Sequence, residues 1–472
     1  MKVEQVYSNC LAQAGYYIES NGEAAIIDPL RDTSIYLEMA KRNGATIRCI
    51  FETHFHADFV SGHLDLARET GSWIVYGPTA EPGFDAIIAD DGQKFRIGAV
   101  TIQLLHTPGH TMESSCFLLY DETGEKKMLF TGDTLFLGDV GRPDLAQDAT
   151  GMSKEMLAGL LYDSIHNKIL PLPDDIILYP AHGAGSACGK QMSTDRFDTL
   201  GHQKKINYAL APGLTIEDFI VKVLEGLLPP PRYFPVNAQM NKYGYGSIHE
   251  ILQHGNKALE VETFKKLWTE GQAMILDTRK GEDFAKGFIP GSVNIGIDGD
   301  FAPWAGTLIK NNKQSILLVA PEGREEETII RLARVGYDHC TGFLKGGIDA
   351  WIKENLPIDR IRTVSASGFN DLLKSSYGIN IVDVRRKPEF DEEHISGVIH
   401  LPLEYVHEQF GKLDPEQTYY VYCAGGYRSM IFISLLQSKG YHKLVNVEGG
   451  FQTLKEIGSL YITRKQNTVG VL

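Results

Sequence analysis

The sequence predicts an α/β protein in three parts: a layered α/β/β/α sandwich, then two small α/β units with mainly parallel sheets. Three observations predict it. The length of 472 residues suits about three domains at roughly 100–200 residues each. The carboxyl-terminal half contains an internal repeat. The first 250 or so residues are built from short strand-like runs, with helical patterns between strand blocks or after them.

Composition sets the outer limits. With 43% hydrophobic and 22% charged residues, the chain is of ordinary globular make-up, not disordered, collagen-like or a disulfide scaffold. Lys and Arg number 46 against 60 Asp and Glu, a formal charge of −14, which opposes binding to nucleic acid or anionic lipid. No apolar run approaches the length of a membrane span. Six scattered cysteines without CxxC pairs, behind an amino terminus without an apolar segment, predict reduced thiols and a cytoplasmic protein.

In the amino-terminal part the runs GYYIES, AAIID, WIVYG, AVTIQLLHT, SCFLLY and KMLFTGD read as strands. Helices are expected after Ser61 and around residues 152–165. The proline-rich stretch LLPPPRYFPVNAQMNKYG is expected to continue neither helix nor inner strand and to end the domain. The repeat follows: Asp277, Arg279, Phe284, Ile289 and Gly291 recur in the same order and spacing as Asp383, Arg385, Phe390, Ile395 and Gly397. Each copy continues through an apolar strand, a helical stretch ending in Gly-Tyr, and a closing Gly-Gly. The expected domains are 1–253, 254–358 and 359–472.

Four clusters in the first domain carry chemistry. They are Thr53-His54-Phe55-His56-Ala57-Asp58, Thr107-Pro108-Gly109-His110, Thr131-Gly132-Asp133 and Tyr179-Pro180-Ala181-His182. Each follows a strand-like run, where loops bring ligands together while a sheet holds them. A single histidine here would read as structural; four such sites in order read as metal. His63, opening the next helix, reads as a surface or cap residue.

This set resembles the metallo-β-lactamase superfamily, whose dinuclear hydrolases carry HxHxDH. Here Phe59 stands at the last histidine, and a phenyl ring offers no lone pair for a second metal. The resemblance is to the persulfide dioxygenase branch. It implies one Fe(II) per chain on His54, His110 and Asp133, a facial 2-His-1-carboxylate set with open positions, while His56, Asp58 and His182 orient ligands and bound water. Whether His56 ligates directly stays open. The run GDVGRPDL resembles an element of that branch, in which Arg142 either holds a substrate carboxylate or ties down a loop through Asp144. Cys188, in GAGSACGK, is either a small buried hydrophobe or a thiol meeting the substrate sulfur.

In the last domain Cys423-Ala424-Gly425-Gly426-Tyr427-Arg428-Ser429 follows an apolar strand and opens a helix. A thiol at a helix amino terminus, ringed by backbone N–H groups and near Arg428, is favoured as thiolate and can carry a persulfide. The domain resembles rhodanese sulfurtransferases, with a loop one residue shorter than that of related phosphatases. In the middle copy Ala-Pro-Glu-Gly stands between Val319 and Arg324, so that copy reads as catalytically silent.

The resemblance implies that a low-molecular-weight thiol persulfide is oxidised by O2 to sulfite and thiol, and that Cys423 passes a second sulfane sulfur to sulfite to give thiosulfate. The alternatives are a dizinc thioester hydrolase of the glyoxalase II type with an appended sulfurtransferase, and a non-oxidative persulfide carrier or sensor. The sequence does not choose the carrier thiol, and a homo-oligomer is compatible with the resemblance.

Overall fold

The computed structural model describes residues 1–271, 273–375, 378–457 and 461–464, and their side chains except at 148 and 149. The chain forms two compact units. The first comprises Met1–Glu250 with Leu332–Gly336, and the second comprises the remainder.

The first unit holds two six-stranded sheets. One has the order β1 (Lys2–Ser8), β2 (Gln13–Ser20), β3 (Glu23–Ile27), β4 (Thr46–Phe51), β5 (Trp73–Tyr76), β6 (Ile87–Ile88). Its first three strands are antiparallel and β3 to β6 are parallel. The other sheet contains β7 (Lys94–Ile97), β8 (Val100–His106), β9 (Ser115–Tyr120), β10 (Lys126–Gly132), β11 (Ile177–Pro180) and β12 (Asp198–Thr199), also in sequence order. Strand alternation explains the layering. Val100, Ile102 and Leu104 of β8 face the core between the sheets, where Tyr16 meets Phe130 and Phe51 meets Phe117 at ring separations of 4.8 and 4.9 Å. Helices cover both outer faces, through Tyr36, Met39 and Leu66 on one and Leu161, Phe219 and Val223 on the other. This is the expected α/β/β/α sandwich.

The proline-rich stretch departs from the expectation. Residues Phe234–Tyr243 form a helix with Pro235 in its first turn, where the missing N–H has no intrahelical partner to lose.

The second unit carries two five-stranded parallel sheets. The first has the order β13 (Ala258–Leu259), β17 (Cys340–Leu344), β16 (Ile316–Val319), β14 (Met274–Asp277), β15 (Val293–Asn294). The second repeats it as β18 (Arg362–Val364), β23 (Leu444–Val447), β22 (Tyr419–Tyr422), β19 (Asn380–Asp383), β21 (Ile399–His400). A short ribbon pairs β20 (Glu393–Ile395) with β24 (Ile462–Arg464). The repeated Asp and Arg serve the same purpose in both copies. Arg279 is paired with Asp277 at 2.6 Å and Arg385 with Asp383 at 2.7 Å, and each arginine also caps a backbone carbonyl, of Gly287 or Glu393. Residues beyond 464, assigned above to the last domain, lie outside the described ones.

Candidate functional site

In the first unit the loops after β4, β8, β10 and β11 bring the candidate residues together. Each histidine is oriented by its far nitrogen. Asp28 accepts from the Thr53 N–H and hydroxyl at 2.8 and 2.9 Å, and the Thr53 oxygen, its own proton so engaged, accepts from His54 Nδ1 at 3.0 Å. His110 Nδ1 donates to the Arg142 carbonyl at 2.8 Å, and His182 Nδ1 to the Ala12 carbonyl at 3.3 Å. All three therefore keep the Nε2 lone pair for the site.

His54 Nε2 and His110 Nε2 lie 3.9 and 3.5 Å from Asp133 Oδ2. Metal–ligand bonds of about 2.1 Å put neighbouring donors roughly 3–4 Å apart, so the three fit one cation. Burial, then the neighbouring imidazoles of His56, His110 and His182, hold His54 well below the usual histidine range, as a ligand must be. Asp133 Oδ1 and Oδ2, Asp58 Oδ1 and His182 Nε2 are buried without a hydrogen-bond partner among the described residues. A cation on His54, His110 and Asp133 would satisfy the Asp133 carboxylate.

Asp58, His182 and Cys188 stand on the other side of Asp133. His182 Nε2 is 3.4 Å from both Asp58 Oδ2 and Asp133 Oδ1, and one ligand atom each of Asp133, His182 and Cys188 forms a further compact group. Cys188 is buried; its thiol is pushed well above its usual range by burial, then by Asp58 and Asp133. His56 faces an acid pair, its Nε2 3.1 Å from Asp28 Oδ1 and 3.4 Å from Glu52 Oε2. Burial would lower its pKa, but Asp28 and Glu52 outweigh it and push His56 well up. The ring of Phe59, fully buried, lies 4.4 Å from that of His56.

Arg142 is 4% exposed. Its guanidinium clasps Asp144 through Nε at 2.7 Å and Nη2 at 2.8 Å, and donates to the Ala187 and Leu228 carbonyls. Of the two roles weighed for it, this is the loop-tying geometry. His63 departs from the surface role expected of it: it is buried with Nδ1 3.5 Å from Glu52 Oε1.

Three supporting residues escaped the sequence reading. Asp28 holds Thr53 as above. Asn241, on helix Phe234–Tyr243, donates to the His56 and Phe59 carbonyls at 2.7 Å each and accepts from the Ser61 N–H. At Gly141 an added Cβ would sit 1.9 Å from the Asp133 carbonyl oxygen and 3.0 Å from His110 Nδ1. Asp28, closing the apolar run AAII, and Gly141, in the run GDVGRPDL, had a visible signal.

In the second unit Cys423 follows Tyr422, the strand residue paired with Asp383. In the other copy Val319 pairs with Asp277, so Ala320 occupies the corresponding place. Cys423 is buried, and its Sγ accepts from the Gly426 N–H at 3.0 Å and lies 3.6 Å from Ser429 Oγ. Gly426 adopts φ 104° as it enters helix Tyr427–Gln437, a conformation suited to glycine. The Cys423 and Ala424 carbonyls accept from the Phe451 and Gln452 N–H groups, which seats the closing glycines against the loop. Gly425 lines a cavity beside the loop, together with Gly426 and Tyr427. Arg428 is forked onto Glu389, at 2.5 and 2.7 Å, a partner the sequence reading did not single out.

The sandwich and its buried His/Asp centre define a metallo-β-lactamase fold, and the paired parallel sheets define rhodanese-like domains. The metallo-β-lactamase superfamily model matches residues 9–182 and the rhodanese-like domain model residues 260–354 and 365–456. The human mitochondrial persulfide dioxygenase ETHE1 is 33% identical over 223 residues, 46% of this chain and 78% of the relative. A probable hydroxyacylglutathione hydrolase of Schizosaccharomyces pombe is 32% identical over 167 residues, 35% of this chain, which spans 60% of that relative's length. A crystal structure of a metallo-β-lactamase from Staphylococcus aureus superposes with a TM-score of 0.63 at 32% identity, covering 73% of this chain and 98% of the other. The chain belongs to the metallo-β-lactamase superfamily, as a fusion of that domain with two rhodanese-like domains.

Proposed function

We propose that the chain is an Fe(II)-dependent persulfide dioxygenase coupled to a rhodanese sulfurtransferase. A thiol persulfide, O2 and water give thiol and sulfite in the first domain; Cys423 then passes a sulfane sulfur to sulfite to give thiosulfate. The observation that carries the reading is the grouping of His54, His110 and Asp133 with Phe59 where a further imidazole would complete a second metal site. Fe(II), one per chain, would supply open coordination positions and redox chemistry. Thr53 and the Arg142 carbonyl keep His54 and His110 in the ligating tautomer. Asp58 and His182, 3.4 Å apart, are placed to hold a proton at His182 Nε2 while water is consumed. Buried Cys188 places its sulfur beside Asp133 and His182 on this side of the centre. At Cys423 the Gly426 N–H stabilises negative charge on sulfur.

A dizinc thioester hydrolase is the second reading. It is favoured by Asp133 Oδ1 facing His182 and by the hydrolase relatives, and opposed by Phe59. An oxygen-electrode assay with glutathione persulfide and iron-loaded protein, with metal content measured on the same sample, separates them. The proposal expects O2 uptake at one iron per chain. Thioester turnover at two zinc per chain without O2 uptake would replace it. Cys423→Ser is expected to abolish thiosulfate formation and spare O2 uptake; loss of both together would refute the division of labour.

A further inference from the structure

The first unit takes in a short segment, Leu332–Gly336, that the rhodanese-like domain match places in the Cys-less repeat. The segment ends helix Glu325–Ala333 and forms the turn after it. Leu332, Ala333 and Val335 are buried. The Arg334 carbonyl accepts from the Val60 N–H at 2.7 Å, and Val60, between Phe59 and Ser61, is itself fully buried. The Ala333 carbonyl accepts from Nη1 of fully buried Arg31 at 2.5 Å, whose Nη2 donates to the Gly246 carbonyl at 3.1 Å. The Arg334 side chain donates through Nη1 to Ser8 Oγ at 3.5 Å.

The same turn meets the helix that carries Asn241. Gly336 has φ +81°, and a Cβ there would lie 2.6 Å from Asn237 Oδ1 and 3.0 Å from Met240 Sδ. Asn237 is fully buried on helix Phe234–Tyr243, so its amide cannot swing into solvent to make room. One turn further along that helix, Asn241 holds the His56 and Phe59 carbonyls and the Ser61 N–H. The loop after β4 is therefore gripped twice. Asn241 takes backbone groups of Phe59 and Ser61, and Arg334 takes the N–H between them. A buried N–H needs an acceptor, so the place of the Arg334 carbonyl sets the place of Val60.

We infer that Leu332–Gly336 is a positioning element of the metal centre, supplied by the Cys-less repeat. His54, His56 and Asp58 stand on the gripped loop, and a loop fixed at Phe59, Val60 and Ser61 presents their donor atoms in one arrangement. This role concerns metal binding, whichever reaction the centre serves, and it asks for no thiol in the repeat.

The test titrates the metal-free full chain with Co(II) in competition with a chelator. Gly336→Ala is expected to weaken Co(II) binding at least ~10-fold. Asn237→Ala removes the atom that the added methyl strikes, so Gly336→Ala/Asn237→Ala is expected within ~3-fold of Asn237→Ala alone. Gly323→Ala is the control. It lies in the same repeat at φ +78° with nothing within 4 Å of an added Cβ, and is expected to bind Co(II) within ~3-fold of the parent. Parent-like affinity in Gly336→Ala, equal weakening in Gly323→Ala, or a double variant as weak as Gly336→Ala each overturns the inference. Should Gly336→Ala not fold, the parent decides the case. Coupling is reciprocal, so Co(II) is expected to slow backbone hydrogen exchange over residues 330–338 and to leave strand Ile316–Val319 of the same repeat unchanged. Equal exchange over 330–338 with and without Co(II) overturns the inference as well.

Discussion

Thr53→Val isolates the device that aims His54. The substitution keeps volume and branching but removes the hydroxyl that bridges Asp28 Oδ2 and His54 Nδ1. Two consequences can be sized. Losing the partner that orients a ligating imidazole typically weakens metal binding by about 10–100-fold, which is about 1.4–2.7 kcal/mol. Asp28 is buried, and its Oδ2 would lose a donor, at a cost of about 1–3 kcal/mol to folding. The Thr53 N–H still reaches Oδ1, so the lower half of that range is expected. Gly132, at φ +52°, leaves the space that the residue-53 side chain fills: a Cβ there would lie 2.7 Å from Thr53 Oγ1. Competitive Fe(II) titration gives the first quantity, and thermal unfolding of the metal-free protein the second, as a drop of about 2–5 °C. A variant that folds normally and binds Fe(II) within about 3-fold of the parent would show that the Asp28–Thr53–His54 chain does not set ligand orientation.

Other perturbations probe the remaining parts. Phe59→His places an imidazole beside His56 and should raise the metal content from one ion per chain to two; a ratio that stays at one after zinc loading would refute the importance given to this position. Gly141→Ala forces its loop away from Asp133 and His110 and should cut O2 uptake by about 100-fold while Cys423 still accepts sulfur, so an unimpaired oxidation rate would count against the loop's role. Glu389 has its pKa lowered: burial opposes the shift, but Arg428 outweighs it. A depressed carboxyl contributes stability that is present above its unfolded value and lost as pH falls through its folded value. The unfolding temperature of the parent should therefore exceed that of Glu389→Gln near neutral pH, with the gap closing below about pH 4.5; a gap independent of pH would refute the ion-pair account.

The three-part α/β architecture was legible in the chain alone, because strand alternation and the repeated Asp/Arg spacing are local patterns that survive without coordinates. His54, His110, Asp133, His182 and Cys423 were legible as candidates too, since side chains able to ligate or to act as nucleophiles come from a small set of types and here follow strand-like runs. What holds them is visible only in the folded chain. Asp28, Asn241 and Gly141 act through backbone carbonyls, a carboxylate or the absence of a Cβ, across separations of up to 185 residues along the chain, and no local spacing marks such contacts. Arg142 and Arg428 each had a carboxylate within reach in the fold, and a guanidinium fork takes the carboxylate that packing presents. The helix over Phe234–Tyr243 was hidden for a related reason: a proline breaks a helix or begins one according to its place in the first turn, and packing onto the metal loop set that place.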